Sequence, residues 1–298
     1  MTRNIIINIF LLFIASVTVF GQSTAEKDRQ RILTSKIESI TLMGHKYDIE
    51  GVEDPKAKKK THEIYDEKGR LKMAITYNRI GIENKTFNKY DSKNRLSAAI
   101  IKDGEEKVID QFKLKYNKDD KIAEKKGSRD GNDYVVSYEY NNEGKLISKI
   151  KTNGVGGVIW RDDYEYDDRG NQIREKHSGN QAYETKFTYD ANNRMTSSQA
   201  FQDTIPGYKY LYTYNDSGKK IKEEQFDGRG NNLNTYTYSY NAAGDVSSIN
   251  LYSDYLGYLS QKWTYKYDGK GNVLEIKIFD TEEGLPVFTS KYIYRFRK

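Results

Sequence analysis

No cysteine occurs in the 298 residues, and proline occurs only three times. The first absence excludes disulfides, a thiolate metal site and a lipid-modified N-terminal cysteine. The second leaves long stretches in which strands can run without a missing backbone donor. Histidine is nearly as scarce, at positions 45, 62 and 177. That is little material for an imidazole metal site or for a Ser–His–Asp triad. No second apolar run of membrane-spanning length follows the N-terminal one. The formal charge of +6, set by 49 basic and 43 acidic residues, is too mild to indicate nucleic-acid binding.

Hydrophobic residues are also sparse, at 36%, and such a chain can be disordered. Yet 26 Tyr and 11 Phe are present, and disordered chains are poor in aromatics. The remaining option is an extended repeat architecture with a small core per residue.

Residues 1–21 read as a signal peptide. Arg3 precedes the apolar run IIINIFLLFIASVTVF, and Val19 and Gly21 sit at −3 and −1 of a cleavage site before Gln22. The mature chain is expected to be exported to the periplasm, cell surface or medium, with no membrane span. Residues 22–34 form an N-terminal segment, with a helical turn or two near 25–33. Residues 35–298 form one domain.

That domain repeats a heptad-length motif at intervals of 23–27 residues. It appears as YDEKGRL at 65, YDSKNRL at 90, YNKDDKI at 116 and YNNEGKL at 140. It continues as YDDRGNQ at 166, YDANNRM at 189, YNDSGKK at 214, YNAAGDV at 240 and YDGKGNV at 267, with a partial copy in KYIYRF. The second position is always Asp or Asn, which start type I turns by accepting from the turn backbone. The fifth position is only Gly, Asn or Asp, the residues that best tolerate positive φ. Each motif is therefore a hairpin tip, a type I turn closed by a left-handed residue and a bulge.

The same geometry sets the register, with each motif Tyr opposite the residue six later. Tyr65 should face Leu71, and Tyr240 should face Val246. Gln172 and Lys220 break the aromatic–aliphatic pairing, and a local shift of the bulge is expected there. Tyr138, Tyr164, Phe187, Tyr212, Tyr238 and Tyr265 precede tips by two, with polar residues between, which is the alternation of a strand with one wet face. Ile147, Ile173 and Leu274 fall on that wet face, which suggests that part of it is covered. The links between hairpins, such as DTIPG at 203 and DGRG at 227, read as looser turns that keep Pro55, Pro206 and Pro286 out of strands. The glycines at 227–230 belong to a turn and not to a phosphate loop, because no helix follows.

The fold class is all-β: an antiparallel meander of about twenty strands in hairpins of about 25 residues, forming a twisted or rolled extended sheet. It opens with a hairpin at 35–65 containing the basic loop DPKAKKK. It ends on an edge strand whose Lys291, Arg295, Arg297 and Lys298 discourage further sheet pairing.

The unit x-Y-x-Y-D-x-x-G-x-L, in phase across residues 60–295, resembles the YD repeat, also called the RHS repeat. That resemblance implies hairpins spiralling into a hollow β-shell. It also implies toxin encapsulation, cell-surface contact or carbohydrate binding. The array is shorter than the shell-forming ones and is closer to stand-alone repeat proteins.

No catalytic or metal-binding residue stands out, and no cofactor is expected. Paired carboxylates, Asp162 with Asp163 and Glu223 with Glu224, point to opposite faces of a strand and do not converge. The best candidate surface is aromatic: Tyr210, Tyr212, Tyr236, Tyr238, Trp263 and Tyr265, a plate able to stack on sugars, or else a core face. The expected function is a non-enzymatic exported scaffold at the cell envelope. The alternatives are a carbohydrate-binding module and a component of an RHS-type toxin-delivery system. The expected partner is a cell-surface glycan or an envelope protein.

Overall fold

The tip chemistry operates in all nine motifs. Asp66 Oδ1 accepts from the Lys68 and Arg70 amides at 2.9 and 3.0 Å; the Asp or Asn of every other tip accepts from the amide of the sixth motif residue, and in most tips from that of the fourth as well. The fifth motif residue has positive φ in every tip, from 59° at Asp120 and Asn193 to 90° at Gly244. With the turn fixed, the register follows. Tyr65 faces Leu71, Tyr140 faces Leu146, Tyr240 faces Val246 and Tyr267 faces Val273. Tyr166 faces Gln172 and Tyr214 faces Lys220 in the same register, so the expected bulge shift does not occur. Turn geometry, and not the side chain at the seventh position, sets the pairing.

The computed structural model describes residues 21–254 and 257–298; the expected signal peptide, except Gly21, lies outside the described residues. A helix, α1 (Gly21–Thr34), comes first, longer than the expected turn or two. Twenty strands follow. They are β1 (Ile37–Lys46), β2 (Lys58–Tyr65), β3 (Leu71–Tyr77), β4 (Ile82–Tyr90), β5 (Leu96–Asp103), β6 (Val108–Tyr116) and β7 (Ile122–Arg129). Next are β8 (Asn132–Tyr140), β9 (Leu146–Asn153), β10 (Val158–Tyr166), β11 (Gln172–Gly179), β12 (Tyr183–Tyr189), β13 (Met195–Gln202) and β14 (Ile205–Tyr214). The last six are β15 (Lys220–Phe226), β16 (Asn232–Tyr240), β17 (Val246–Ser253), β18 (Tyr258–Tyr267), β19 (Val273–Asp280) and β20 (Pro286–Phe296).

Each strand pairs antiparallel with the next, and β1 pairs with both β2 and β20. The sheet is therefore a closed barrel and not an open, rolled sheet. β20 is not an edge. Its charges take part in closure: Arg295 pairs with Glu38 at 2.8 Å and Lys291 with Glu53 at 2.6 Å. The Arg297 guanidinium donates to the carbonyls of Tyr65 and Asp66, and its amide donates to Lys36 O at 2.8 Å. Closure places every strand between two partners, which removes the unpaired edge that the charges were expected to guard.

The sheet's two faces differ. The motif tyrosines and their neighbours at steps of two line the concave face and are partly buried. The convex face carries cross-strand ion pairs such as Lys115–Glu124 at 2.7 Å and Lys266–Glu275 at 3.0 Å. Ile147, Ile173 and Leu274 do not mark a covered wet face. Each is the residue skipped by the register, the extra residue of its bulge. Ile147 and Leu274 are more than a third exposed. Pro206 and Pro286 lie inside strands, at the second position of β14 and the first of β20, where strand ends tolerate proline. Three basic residues assigned to the first loop, Lys58–Lys60, begin β2. The link at Asp227 is no looser than a tip: Asp227 Oδ1 accepts from the amides of Arg229 and Asn231, and Gly230 has φ 87°.

A second ladder binds hairpin to hairpin. Tyr90 Oη donates to Leu71 O, Tyr116 to Leu96 O, Tyr140 to Ile122 O and so on to Tyr294 and Val273 O. The series has nine such bonds, of 2.5–2.8 Å. Cations from the preceding tip lie over several of these rings: Arg70 over Tyr90 at 4.5 Å and Arg95 over Tyr116 at 4.0 Å. Each such stack contributes about 0.5–1 kcal/mol at exposed sites.

Twenty strands at about 4.8 Å make a ring about 96 Å around, too wide for side chains to fill. Among the described residues, the one buried hydrophobic cluster is Ile32, Ile37 and Ile40, covered by Tyr65, Tyr292 and Tyr294. It sits at the tip end of the closing seam. There α1 reaches the first tip through Arg29 Nε to Lys68 O at 3.0 Å, and the last tip through Arg31 to Asn272 Oδ1 at 3.0 Å. Lys36, with φ 53°, turns the chain from α1 into β1.

Candidate functional site

The register that sets the tips also brings distant side chains together on the concave wall. Tyr166 opposite Gln172, with one bulged residue, puts Tyr164 opposite Glu175 and Asp162 opposite His177. On the neighbouring strands, His177 faces Tyr183 and Asp162 faces Lys149. Four strands, β9 to β12, thus deliver a carboxylate, an imidazole, a second carboxyl, a lysine and three aromatic rings to one patch.

His177 Nδ1 lies 2.6 Å from Asp162 Oδ1. Its ring stacks on Tyr183 at 5.1 Å and 12°, and Trp160 lies 6.1 Å away. With Nδ1 engaged by a carboxylate, Nε2 is the nitrogen left for proton exchange. The Tyr164 hydroxyl donates to Asp162 Oδ2 at 3.5 Å, and Lys149 Nζ stands 5.0 Å from the Tyr164 ring centre. Burial pushes the Glu175 carboxyl above the usual carboxylate range, and the charge of Asp162 adds to the shift against the opposing Lys149. Burial, then the same two carboxylates, raise the Tyr164 phenol. The patch thus sets an imidazole held by a carboxylate beside a second carboxyl whose protonated form burial favours.

Basic and aromatic residues alternate along the adjoining wall. Lys151 Nζ lies 4.6 Å from the Tyr134 ring centre, and Lys125 Nζ lies 3.9 Å from that of Phe112. Burial lowers the Lys125 ammonium. Asp110, 2% exposed, accepts from Arg129 at 2.7 Å and from the Tyr134 hydroxyl at 3.1 Å. Asp110 and Arg129 line a cavity of about 520 Å³ with Thr76, Thr86 and Ile101.

The residues singled out from sequence lie elsewhere on this wall. Tyr210 and Tyr212 are on β14, Tyr236 and Tyr238 on β16, and Trp263 and Tyr265 on β18. Three of the hydroxyls are engaged: Tyr238 donates to Glu223 at 3.1 Å, Tyr212 lies 3.3 Å from Ser198 Oγ, and Tyr210 accepts from Gln225 at 3.1 Å. Lys220 lies over both Tyr212 and Tyr238, at 5.5 and 4.6 Å. The carboxylate pairs do diverge as expected. Asp163 pairs with Arg161 and Glu224 with Lys222, while Asp162 and Glu223 serve the concave face. Sequence reasoning looked for convergence between adjacent residues and missed it across strands. The motif register, carried two steps back from Tyr166, would have found Asp162 opposite His177.

No family model matches the chain. Among characterised proteins it is similar to the tRNA3(Ser)-specific nuclease WapA of Bacillus spizizenii, 27% identical over 200 residues, covering 63% of this chain and 7% of that one. It is also similar to the tRNA nuclease WapA of Bacillus subtilis, 28% identical over 204 residues with the same coverage. The chain thus spans about 7% of the length of these relatives. A solved structure of the Photorhabdus luminescens Tc holotoxin pore aligns with 76% of the chain and 13% of its own, at 17% identity and a TM-score of 0.42. The expectation of a non-enzymatic scaffold is contradicted by the first two, which carry the names of tRNA nucleases.

Proposed function

We propose that this chain is an RHS-type repeat barrel with toxin-like activity on RNA, exercised on its concave wall at the His177 patch. The observation that carries this is the 2.6 Å His177–Asp162 pair beside the raised Glu175 carboxyl, with Lys149 at hand. The names of the relatives supply the substrate class. In the reaction proposed, His177 takes the proton of a ribose 2′-hydroxyl, whose oxygen attacks the adjacent phosphorus. The bond from phosphorus to the 5′ oxygen breaks, and Glu175 gives that oxygen its proton. The products are a 2′,3′-cyclic phosphate and a free 5′-hydroxyl. Lys149 balances phosphate charge, and Trp160 and Tyr183 offer faces for stacked bases. The mild overall charge does not oppose this reading, because Lys125, Lys149 and Lys151 are gathered on one stretch of wall.

The test is incubation of the purified chain with total tRNA in chelating buffer, with the product ends identified. Cleavage should fall at least ~10²-fold in His177→Ala and in Glu175→Gln. Wild-type protein that leaves tRNA intact, or variants that cut as well as wild type, would refute the assignment.

Closure supports a second reading: the lumen as a compartment for a polypeptide. A ring too wide to fill, with no free edge, suits enclosure. The aromatic wall of Tyr210, Tyr212, Tyr236, Tyr238, Trp263 and Tyr265 is then the contact surface for the contents. A bound polypeptide protected from protease until Ile37→Asp opens the seam would support this reading. Equal digestion in both proteins would count against it.

A further inference from the structure

The two rims of the barrel are chemically different. The nine tip turns, from the second to the sixth motif residue, contain no Val, Ile, Leu, Met or aromatic residue, and carry twelve acidic and eleven basic side chains. The ten turns at the other end contain fourteen Asp and Glu against five Lys and Arg, counted over 47–57, 78–81, 103–107, 129–131, 153–157, 179–182, 202–205, 227–231, 253–257 and 280–285. They also hold out bare aliphatic side chains. Ile80 is 95% exposed, Val155 93%, Ile49 90% and Ile205 69%, with Val158 beside them at 67%. Among the described residues, every large hydrophobic more than 60% exposed lies at this rim.

Single exposed aliphatics are ordinary, but a set confined to one end of a molecule is not. Successive turns of the rim are two strands, about 9.6 Å, apart. The aliphatics are therefore beads on a wide ring and not one groove, so a linear peptide could meet only a few of them. A folded surface of comparable width could meet them all.

We propose that the return-turn rim is the docking surface for a folded partner protein whose contact face is basic and apolar. Charge selects that occupant. A second copy docked rim to rim would bring fourteen acids against fourteen. A second copy docked by its tips would offer the aliphatics no apolar counterpart. An anionic lipid surface would be repelled. A basic face satisfies the acids while its apolar residues cover Ile49, Ile80, Val155 and Ile205. The acidity steers encounter, and the aliphatics supply the buried contact.

The test uses the full chain in its native source, with a photo-crosslinking benzoylphenylalanine at position 80, 155 or 205, and at 118 or 217 in the tips as controls. One protein should crosslink from all three rim positions and from neither tip position. Its binding to the purified chain should weaken at least ~10-fold between 50 and 300 mM salt. It should weaken as much in the chain carrying Ile49→Ser, Ile80→Ser, Val155→Ser and Ile205→Ser, with an unchanged circular dichroism spectrum showing that this variant is folded. Crosslinks to a second copy of the chain, to lipid, equally from both rims, or to nothing would overturn the proposal. So would a captured protein whose binding ignores salt.

Discussion

The tip end and the return end are made by the same twenty strands, yet only one of them repeats. At the tips, a side-chain oxygen must receive two amides, one residue must adopt positive φ, and a tyrosine must reach the hairpin before it. Those demands recur from unit to unit and leave few residue types free. The return turns need only bring the chain back. They range from the two-residue Asp130–Gly131 turn, with φ 48° and 80°, to the eleven-residue stretch between β1 and β2. Three of them, at Asp103, Asn153 and Asp227, reuse the tip geometry, but the set as a whole follows no single steric rule and carries acids and bare aliphatics. Both ends help to hold the seam, the return end through Glu53 with Lys291 and Tyr47 with Thr289, but the bare aliphatics lie at the return end alone, available to other molecules.

The sharpest way to break that contrast is to attack the tip-end cluster. Ile37 is fully buried, and Ile37→Ala should cost about 2–5 kcal/mol in denaturant unfolding. A loss under about 1 kcal/mol would mean that the seam is not held from the tip end. Next in size is the tyrosine ladder. Tyr214→Phe removes the bond to Met195 O and should cost about 0.5–1.5 kcal/mol. Tyr208→Phe, at the half-exposed return end, should cost less than about 0.5 kcal/mol. Equal costs would erase the difference between the ends.

Between the ends, Glu175 makes a pH-dependent contribution. Its folded pKa lies above the unfolded value of about 4.3, so folding favours the protonated form. The stability linked to that proton is complete below the unfolded pKa and lost as pH rises through the folded one. Glu175→Gln should therefore raise the melting temperature at pH 7.5 and leave it unchanged near pH 3.5. A difference that is constant with pH would show that the carboxyl ionises freely. The smallest effect is expected at the rim, where Ile80→Ser and Ile205→Ser should each move stability by less than about 0.5 kcal/mol.

The hairpins were legible because the motif encodes its own stereochemistry: Asp or Asn at one place, Gly, Asn or Asp three later. The strands and seven of the nine tyrosine pairings follow from that; at Gln172 and Lys220 the common register holds where a shift was expected. Closure was not legible. β1 and β20 are separated by some 240 residues, and neither carries a full motif that names its partner. What joins them is Glu38 with Arg295, Glu53 with Lys291, and one buried isoleucine cluster, and none of these has a spacing rule. The bulged Ile147 and Leu274 misled for a related reason, since a skipped residue shifts the alternation by one. The His177 patch was hidden by the same step: its members lie on four strands, and only the pairing brings them together.

The nine ladder hydroxyls, from Tyr90 to Tyr294, all point the same way along the chain. Each donates to the hairpin made before it and none to the one after. The ladder therefore has a direction. As the chain is synthesised or threaded out, each new unit finds a finished acceptor already waiting. The tip cations run the other way, Arg70 to Asn94, Arg194 to Asn215 O and Lys219 to Gly244 O, until Arg297 returns to Tyr65 and Asp66 and the last seam shuts. Such a structure can gain or lose whole hairpins without redesign of the rest, and the circumference becomes a matter of how many times the motif is copied.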